Sequence, residues 1–260
     1  MYLLMTDETN MRPNAQARFF AYGGLIVPFE RVARLSARIE AIRVDTGYRR
    51  RDLLKFDTNV RPRNVTAEDA RNAKRRVIRA CIANDCLFVA YVVLHAIARN
   101  QPQRVIVEWG ASHVIGKFNF FLTLRNSQGI VQVDRLPNQN EYEFLTNKFV
   151  SGLTFQDDED VLLDRIVLLG ATCINASHIA SAMDIVLGSF RYCINAQANN
   201  QAARTMMAQL AQLIWAERDG KDLYALERGL VFRPRNVQRA DYQQQYDNLL
   251  AHINELLAEL

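Results

Sequence analysis

The sequence predicts an α/β fold, a mixed sheet flanked by helices. Three observations predict it. Two strand-like runs, Tyr2 to Asp7 and Phe19 to Val27, open the chain. After Pro28, helical patterns alternate with apolar runs of strand length, the pattern of a sheet covered by helices. The run Leu87 to Leu94 is continuously apolar and rich in valine, which suits a central strand buried on both faces.

The elements follow in order. Gly23-Gly24, inside the second run, point to a bulge or to close approach of another group. Asn10 to Gln16, with Pro13, makes a connection longer than a tight hairpin. A helix runs from Pro28 to about Val44, with Val32, Leu35, Ile39 and Ile42 on one face, and Asp45-Thr46-Gly47 ends it. Tyr48 to Val65 lacks periodicity; so long a loop in a compact domain is more often functional than idle. Thr66 caps the next helix, and Glu68 and Asp69 sit in its first turn, where the dipole favours acids. Beyond Leu94, Pro102 to Ser127 reads as helix interrupted near Gly110. Gly129 to Asp134 is a strand that Pro137 stops, and Asn140 to Val150 is a helix. Asp157 to Asp160 reads as an acidic, solvated helix start, Arg165 to Ala171 as the last strand, and Ser177 to Asn195 as the helix after it. Leu210 to Ala216 belongs to a further helix, and about Asn236 to Leu260 to the last. The expected division is a domain over residues 1–195 and a C-terminal helical extension over 196–260.

Composition excludes several classes. At 260 residues, 49% hydrophobic and 23% charged, the chain is ordinary for a globular protein and long enough for a large core. Cys81, Cys86, Cys173 and Cys193 form no CxxC pair and read as core residues of a reducing compartment, not as a zinc or disulfide set. No signal-peptide pattern opens the chain, and no apolar run reaches the roughly 18 residues of a membrane span. The expectation is a soluble, cytoplasmic protein with no membrane contact.

The acids carry the chemistry. Asp7-Glu8 closes the first strand, Asp134 closes a later one, and Asp184 sits inside an apolar helix. Carboxylates are costly at the ends of buried strands unless something pairs with them, and strand ends of open α/β sheets are where ligands bind. Converging there, Asp7, Asp134 and Asp184, with Glu8 beside them, suit hard, oxygen-liking ions: Mg²⁺ or Mn²⁺. Two such ions roughly 3.5–4 Å apart suit in-line displacement at a phosphodiester. Each acid also has an ordinary reading: Asp7 as a turn residue, Asp134 in an Asx-turn with Pro137, Asp184 paired with Arg191. His178 and Glu108 read more readily as a structural histidine and a helix-surface acid than as members of the site.

The bases are concentrated too. Formal net charge is +4, yet the segment from Asp45 to Ala80 alone carries +6, leaving −2 elsewhere. Arg49, Arg50, Arg51, Lys55, Arg61 and Arg63 lie in the long loop, and Arg71, Lys74, Arg75, Arg76 and Arg79 in the helix after it. Arginine offers bidentate contacts to phosphate, and Tyr48 and Phe56 are placed to stack on bases. The partner this implies is nucleic acid, DNA or RNA, held by Arg49, Arg50, Arg51, Lys55, Arg61, Arg63, Lys74 and Arg75. A solvated arginine-rich helix face is the plainer alternative.

Several motifs, in order, resemble one bacterial family. Tyr2-Leu3-Leu4-Met5-Thr6-Asp7-Glu8-Thr9 resembles its opening strand, which ends Asp-Glu-Ser, and Phe20 to Val27 its second. Leu54-Lys55-Phe56 resembles its Glu-Leu-Lys-Phe motif, Val133-Asp134-Arg135 its later strand-end aspartate, and Ser181 to Gly188 its Gln-x-Ala-Asp-x-x-x-Gly helix. The family is the bacterial domain-of-unknown-function family 3800, which is ribonuclease H-like. Thr9 stands where Ser is usual, Ser181 where Gln is, and Asp52 lies one residue too far from Lys55 to match the Glu. Over residues 2 to 195 the resemblance implies a ribonuclease H-like fold and metal-dependent phosphodiester chemistry at Asp7, Asp134 and Asp184. The leading expectation is thus a Mg²⁺- or Mn²⁺-dependent nuclease. The rival is a catalytically silent nucleic-acid-binding or complex-forming subunit, in either case of a bacterial defence or mobile-element kind.

At the C-terminus, Tyr242, Tyr246, Leu249, Ile253, Leu256 and Leu260 recur at coiled-coil-like spacing. A seam this short must pack on something. The expectation is a homodimer or a protein partner, with packing on the chain's own core as the alternative.

Overall fold

The computed structural model describes residues 1–9, 17–136, 141–155, 160–173, 176–196, 200–219 and 222–258. In chain order they form β1 (Tyr2–Glu8), β2 (Phe19–Pro28), a 3-10 turn (Phe29–Arg31), α1 (Val32–Asp45), α2 (Ala67–Ile82), β3 (Leu87–Leu94), α3 (His95–Ala98), α4 (Gln103–Leu124), β4 (Gly129–Val133), α5 (Glu141–Ser151), β5 (Leu153–Thr154), β6 (Asp160–Val161), β7 (Ile166–Ala171), α6 (His178–Asn195), α7 (Gln201–Ala211), β8 (Glu217–Asp219), β9 (Asp222–Tyr224), β10 (Leu230–Phe232) and α8 (Ala240–Ala258). The connection at Asn10 to Gln16, Pro137, and the acids Asp157 to Glu159 fall outside the described residues.

The main sheet has the order β10-β3-β2-β1-β4-β7. β2 runs antiparallel to both β1 and β3, while β4 is parallel to β1, β7 to β4, and β10 to β3. The C-terminal ends of β1, β3, β4, β7 and β10 therefore share one edge. Helices cover both faces. Leu3 and Met5 point to one, with Leu35 and Ile39 of α1, Val77 of α2 and Met183 and Leu187 of α6; Leu4 points to the other, with Val107, Val114 and Phe118 of α4. That alternation along β1 is the period of two of a strand buried on both sides. The fold is an α/β one, a six-stranded mixed sheet flanked by helices. Among the described residues, no helix is long and apolar enough to cross a membrane. The four cysteines are free thiols.

Four expectations are corrected. α4 runs through Gly110 without a break. The glycine is there for contact: a Cβ on it would stand 2.5 Å from the Cβ of Tyr22 on β2. Asp160 lies in a strand, where its carboxylate accepts from the Thr154 hydroxyl at 2.8 Å. Leu210 to Ala216 is not one helix. After α7 the chain straightens, because Leu213 O accepts from Phe88 N at 2.6 Å and Trp215 N donates to Phe88 O at 3.0 Å.

The segment after Asn195 is also not purely helical. β10 joins the sheet as its edge beside β3, and α7 and α8 contribute Met207, Leu210, Tyr246 and Ile253 to the core cluster of α1, α2 and α6. Tyr246, Leu249 and Ile253 of the expected docking seam are thus buried within this chain. The side chains of Leu256 and Leu260 are outside the described residues.

Two substitutions test this packing. Gly110→Ala gains about 1 kcal/mol of helix propensity, but Tyr22 is fully buried and held by a 2.7 Å hydrogen bond to Thr6, so it has nowhere to move. Overpacking of about 1–3 kcal/mol should prevail, and thermal melting should show a Tm lowered by roughly 2–8 °C. Tyr246 Oη accepts from Leu94 N and donates to Arg233 O, each at 2.8 Å. Tyr246→Phe orphans both, and chemical denaturation should register a loss of about 1–3 kcal/mol.

Candidate active site

The acids meet at the shared strand-end edge. Met5 pairs with Gln132 across the parallel β1–β4 ladder, and two residues further along each chain stand Asp7 and Asp134. One carboxylate oxygen from each of Asp7, Glu8 and Asp134 lies within 4.8 Å of the others. Thr9 locks this strand end. Its hydroxyl donates to Ala21 O at 2.9 Å and accepts from Ala21 N at 3.0 Å, extending the pairing of β1 with β2 past Glu8. A hydroxyl residue after Asp-Glu therefore has a structural reason that motif reading alone did not supply.

Asp184 reaches the same edge from α6. This helix lies directly on the sheet because Gly23, the register partner of Asp7, has no side chain: a Cβ there would meet Leu187 at 2.7 Å and Met183 at 2.9 Å. The double glycine thus serves close approach. Asp184 is near enough for its charge to act on Asp7. Its Oδ2 accepts from the Phe56 amide at 2.6 Å. Among the described residues no ion pair joins it to Arg191.

The long loop is fixed to this centre. Lys55 is half-buried and near enough for its charge to act on Asp134 and Asp184. Leu54 before it is buried. The Phe56 ring after it lies on Gly188 of α6, where a Cβ would come within 2.3 Å of the ring. Arg43 of α1, which the sequence did not single out, donates to Arg49 O at 3.0 Å and Asp52 O at 2.6 Å. Asp52 itself accepts from Arg49 N at 2.6 Å, a turn contact away from the acids.

Two of the basic side chains expected at nucleic acid have partners inside the chain. Lys74 is only 8% exposed, and its Nζ donates to Phe56 O at 2.8 Å and Thr58 Oγ1 at 2.7 Å, so it braces the loop. Arg61 donates to Val65 O at 3.1 Å and Thr58 O at 2.9 Å, again a loop brace. Tyr48 is buried in the core, and Phe56 is half-buried with its ring packed on α6. Arg49, Arg50, Arg51, Arg63 and Arg75 are exposed. His178 Nε2 lies 3.4 Å from Glu40, and Glu108 pairs with Arg104 along α4.

Burial raises the proton affinity of all four acids. Glu8 is lifted to about 7, by burial first and by Asp134 second. Asp7 stands well above the usual carboxylate range, through burial and then the charges of Glu8, Asp134 and Asp184. Asp134 and Asp184 are also raised by burial. Asp134 is held back by the Arg135 amide, a hydrogen bond with Asp7 and Lys55, and Asp184 by the Phe56 amide and Lys55. Glu8 Oε2 is buried with no hydrogen-bond partner. All donors are carboxylate oxygens, they repel one another, and one buried oxygen is unpaired. This set fits a hard divalent cation, which would satisfy the oxygen and neutralise the charge.

No family model matches the chain, and no curated protein matches it. Among solved structures, it is similar to a mutant protein of Bst-RNase HIII, at 12% identity and a TM-score of 0.38, over 81% of this chain and 61% of that one. It is also similar to Bst-RNase HIII in complex with Mn²⁺, at 9% identity and a TM-score of 0.38, over 96% of this chain and 70% of that one. The chain thus spans less than two thirds of the first of these proteins.

The raised acids set a pH dependence. Their folded-state proton affinity exceeds that of free carboxyls, so their stabilising effect is complete below about pH 4 and is lost as pH rises through about 7. In chelator, the Tm should fall from pH 5 to pH 8. Asp7→Asn should raise the pH 8 value by roughly 3–8 °C, and Mg²⁺ or Mn²⁺ should raise the wild type likewise. A Tm insensitive to both would remove the strained cluster.

Proposed function

We propose that this chain is a divalent-metal-dependent nuclease that hydrolyses phosphodiester bonds of DNA or RNA with a pair of Mg²⁺ or Mn²⁺ ions. The observation that carries the reading is the convergence of Asp7, Glu8 and Asp134 within 4.8 Å, with the buried Glu8 Oε2 unpaired. Asp7, Glu8 and Asp134 would hold the ions, with Asp184 completing the set. Ions bound there would lower the pKa of a coordinated water and neutralise charge on the phosphodiester. Lys55, on a loop anchored on both sides, offers its ammonium to the scissile phosphate. The exposed Arg49, Arg50, Arg51, Arg63 and Arg75 offer contacts to flanking phosphates.

The ordered motifs that resemble family 3800 support the same reading. The exposed arginines favour one second reading, a silent nucleic-acid-binding subunit of a bacterial defence or mobile-element system.

Labelled single- and double-stranded DNA and RNA, incubated with Mg²⁺, Mn²⁺ or chelator, decide between them. Cleavage should require metal, and Asp7→Asn or Asp134→Asn should lower it by more than the roughly 10–100-fold typical of losing an outer-shell partner. Binding without cleavage under every condition favours the silent subunit. Neutralising Arg49, Arg50 and Arg51 together should weaken binding to all sequences alike and flatten its salt dependence, by about 0.9 of log–log slope for each duplex phosphate no longer neutralised.

A further inference from the structure

Lys74 is a lysine in the middle of an arginine-rich helix, yet it is the one turned inward. Its neighbours Arg71, Arg75 and Arg79 are exposed, while Lys74 is buried. Placing an ammonium out of water is costly unless its protons are used. Two of them are used on neutral oxygens of a single loop, the Phe56 carbonyl at 2.8 Å and the Thr58 hydroxyl at 2.7 Å, and the ammonium also sits 4.9 Å from the Phe56 ring centre.

Phe56 is therefore gripped at three points. Lys74 takes its carbonyl, Asp184 takes its amide at 2.6 Å, and Gly188 receives its ring. Asp184 and Gly188 are one turn apart on α6, and they are its half-open positions between Ile179 and Phe190, where every other residue is buried. Lys55 precedes Phe56 directly, so whatever holds the Phe56 peptide also holds the backbone from which the Lys55 side chain leaves.

We propose that Lys74 is a positioning residue for the acidic centre. Acting through the Phe56 peptide, it fixes both the Asp184 carboxylate and the Lys55 ammonium, without itself touching substrate or metal. The inference rests on the nuclease reading for its catalytic consequence, and on geometry alone for its structural one.

The experiment compares Lys74→Met, Lys74→Arg and Gly188→Ala with wild type in the full-length chain. Gly188→Ala pushes on the Phe56 ring from the opposite side and removes no charge. Hydrogen exchange of the peptide spanning Phe56, Mn²⁺ affinity by calorimetry, and cleavage kinetics are read on each. Lys74→Met and Gly188→Ala should each deprotect the Phe56 amide while α2 and α6 stay protected. Both should weaken Mn²⁺ binding and lower kcat by about 10–100-fold, with KM within about threefold of wild type. Lys74→Arg should recover most of the kcat. The double variant should lose little more than either single one, because both act through the same group.

A Phe56 amide still protected in Lys74→Met, or an effect confined to KM, overturns the proposal. So does a Lys74→Arg variant no better than Lys74→Met. If Lys74→Met does not fold, Gly188→Ala and Thr58→Val carry the same test, and unchanged Mn²⁺ affinity and kcat in both overturn it. A wild type that cleaves nothing overturns the nuclease reading only, since amide exchange and Mn²⁺ affinity still decide the role of Lys74.

Discussion

Asp7, Glu8 and Asp134 are held with carboxylate oxygens within 4.8 Å of one another, although burial and neighbouring acids raise the proton affinity of Asp7 and Glu8. Left to itself, such a cluster would spread into water. Parallel pairing of β1 with β4 fixes two of its members side by side, and the Thr9 hydroxyl closes the strand end behind them. The surroundings then read as supports for this one unfavourable contact. Gly23 lets α6 lie flat on the sheet so that Asp184 arrives from above, and Gly110 lets α4 press on Tyr22 from below. Stability is given up locally and recovered from the two apolar cores.

The basic loop belongs to the same construction. The loop from Tyr48 to Val65, regular only at the 3-10 turn Thr58–Val60, has few backbone hydrogen bonds of its own, so side chains supply more. Arg43 accounts for two carbonyls, Arg61 for two more and Lys74 for another. Three cations, Arg43 before the basic segment and Arg61 and Lys74 within it, are thereby engaged inside the chain. A count of charges overstates the exposed basic surface for this reason.

The C-terminal segment completes the sheet at its other end. β10 covers the free edge of β3, and Tyr246 of α8 ties the end of β3 to the residue after β10. Lys117 of α4 and Arg233 meet on Glu227, with Nζ and Nη2 at 3.1 and 3.2 Å from its Oε2, joining that edge to the helix on the opposite face. The elements on either side of Asn195 therefore share one core and one sheet.

What the sequence determined by itself is what local pattern encodes. The strands read at Tyr2 to Asp7, Phe19 to Val27 and Leu87 to Leu94, the cap at Thr66, and the placing of Asp7 and Asp134 at strand ends were legible, because burial period, capping chemistry and the cost of a charge in an apolar run act within a few residues. The tertiary structure decided the rest. Whether Gly110 breaks a helix or admits Tyr22, whether Lys74 faces a phosphate or the Phe56 carbonyl, and whether residues 213–215 coil or lie along β3 each depend on a partner far away in the chain. The same residue type satisfies either outcome locally; only the group that arrives beside it on folding selects one.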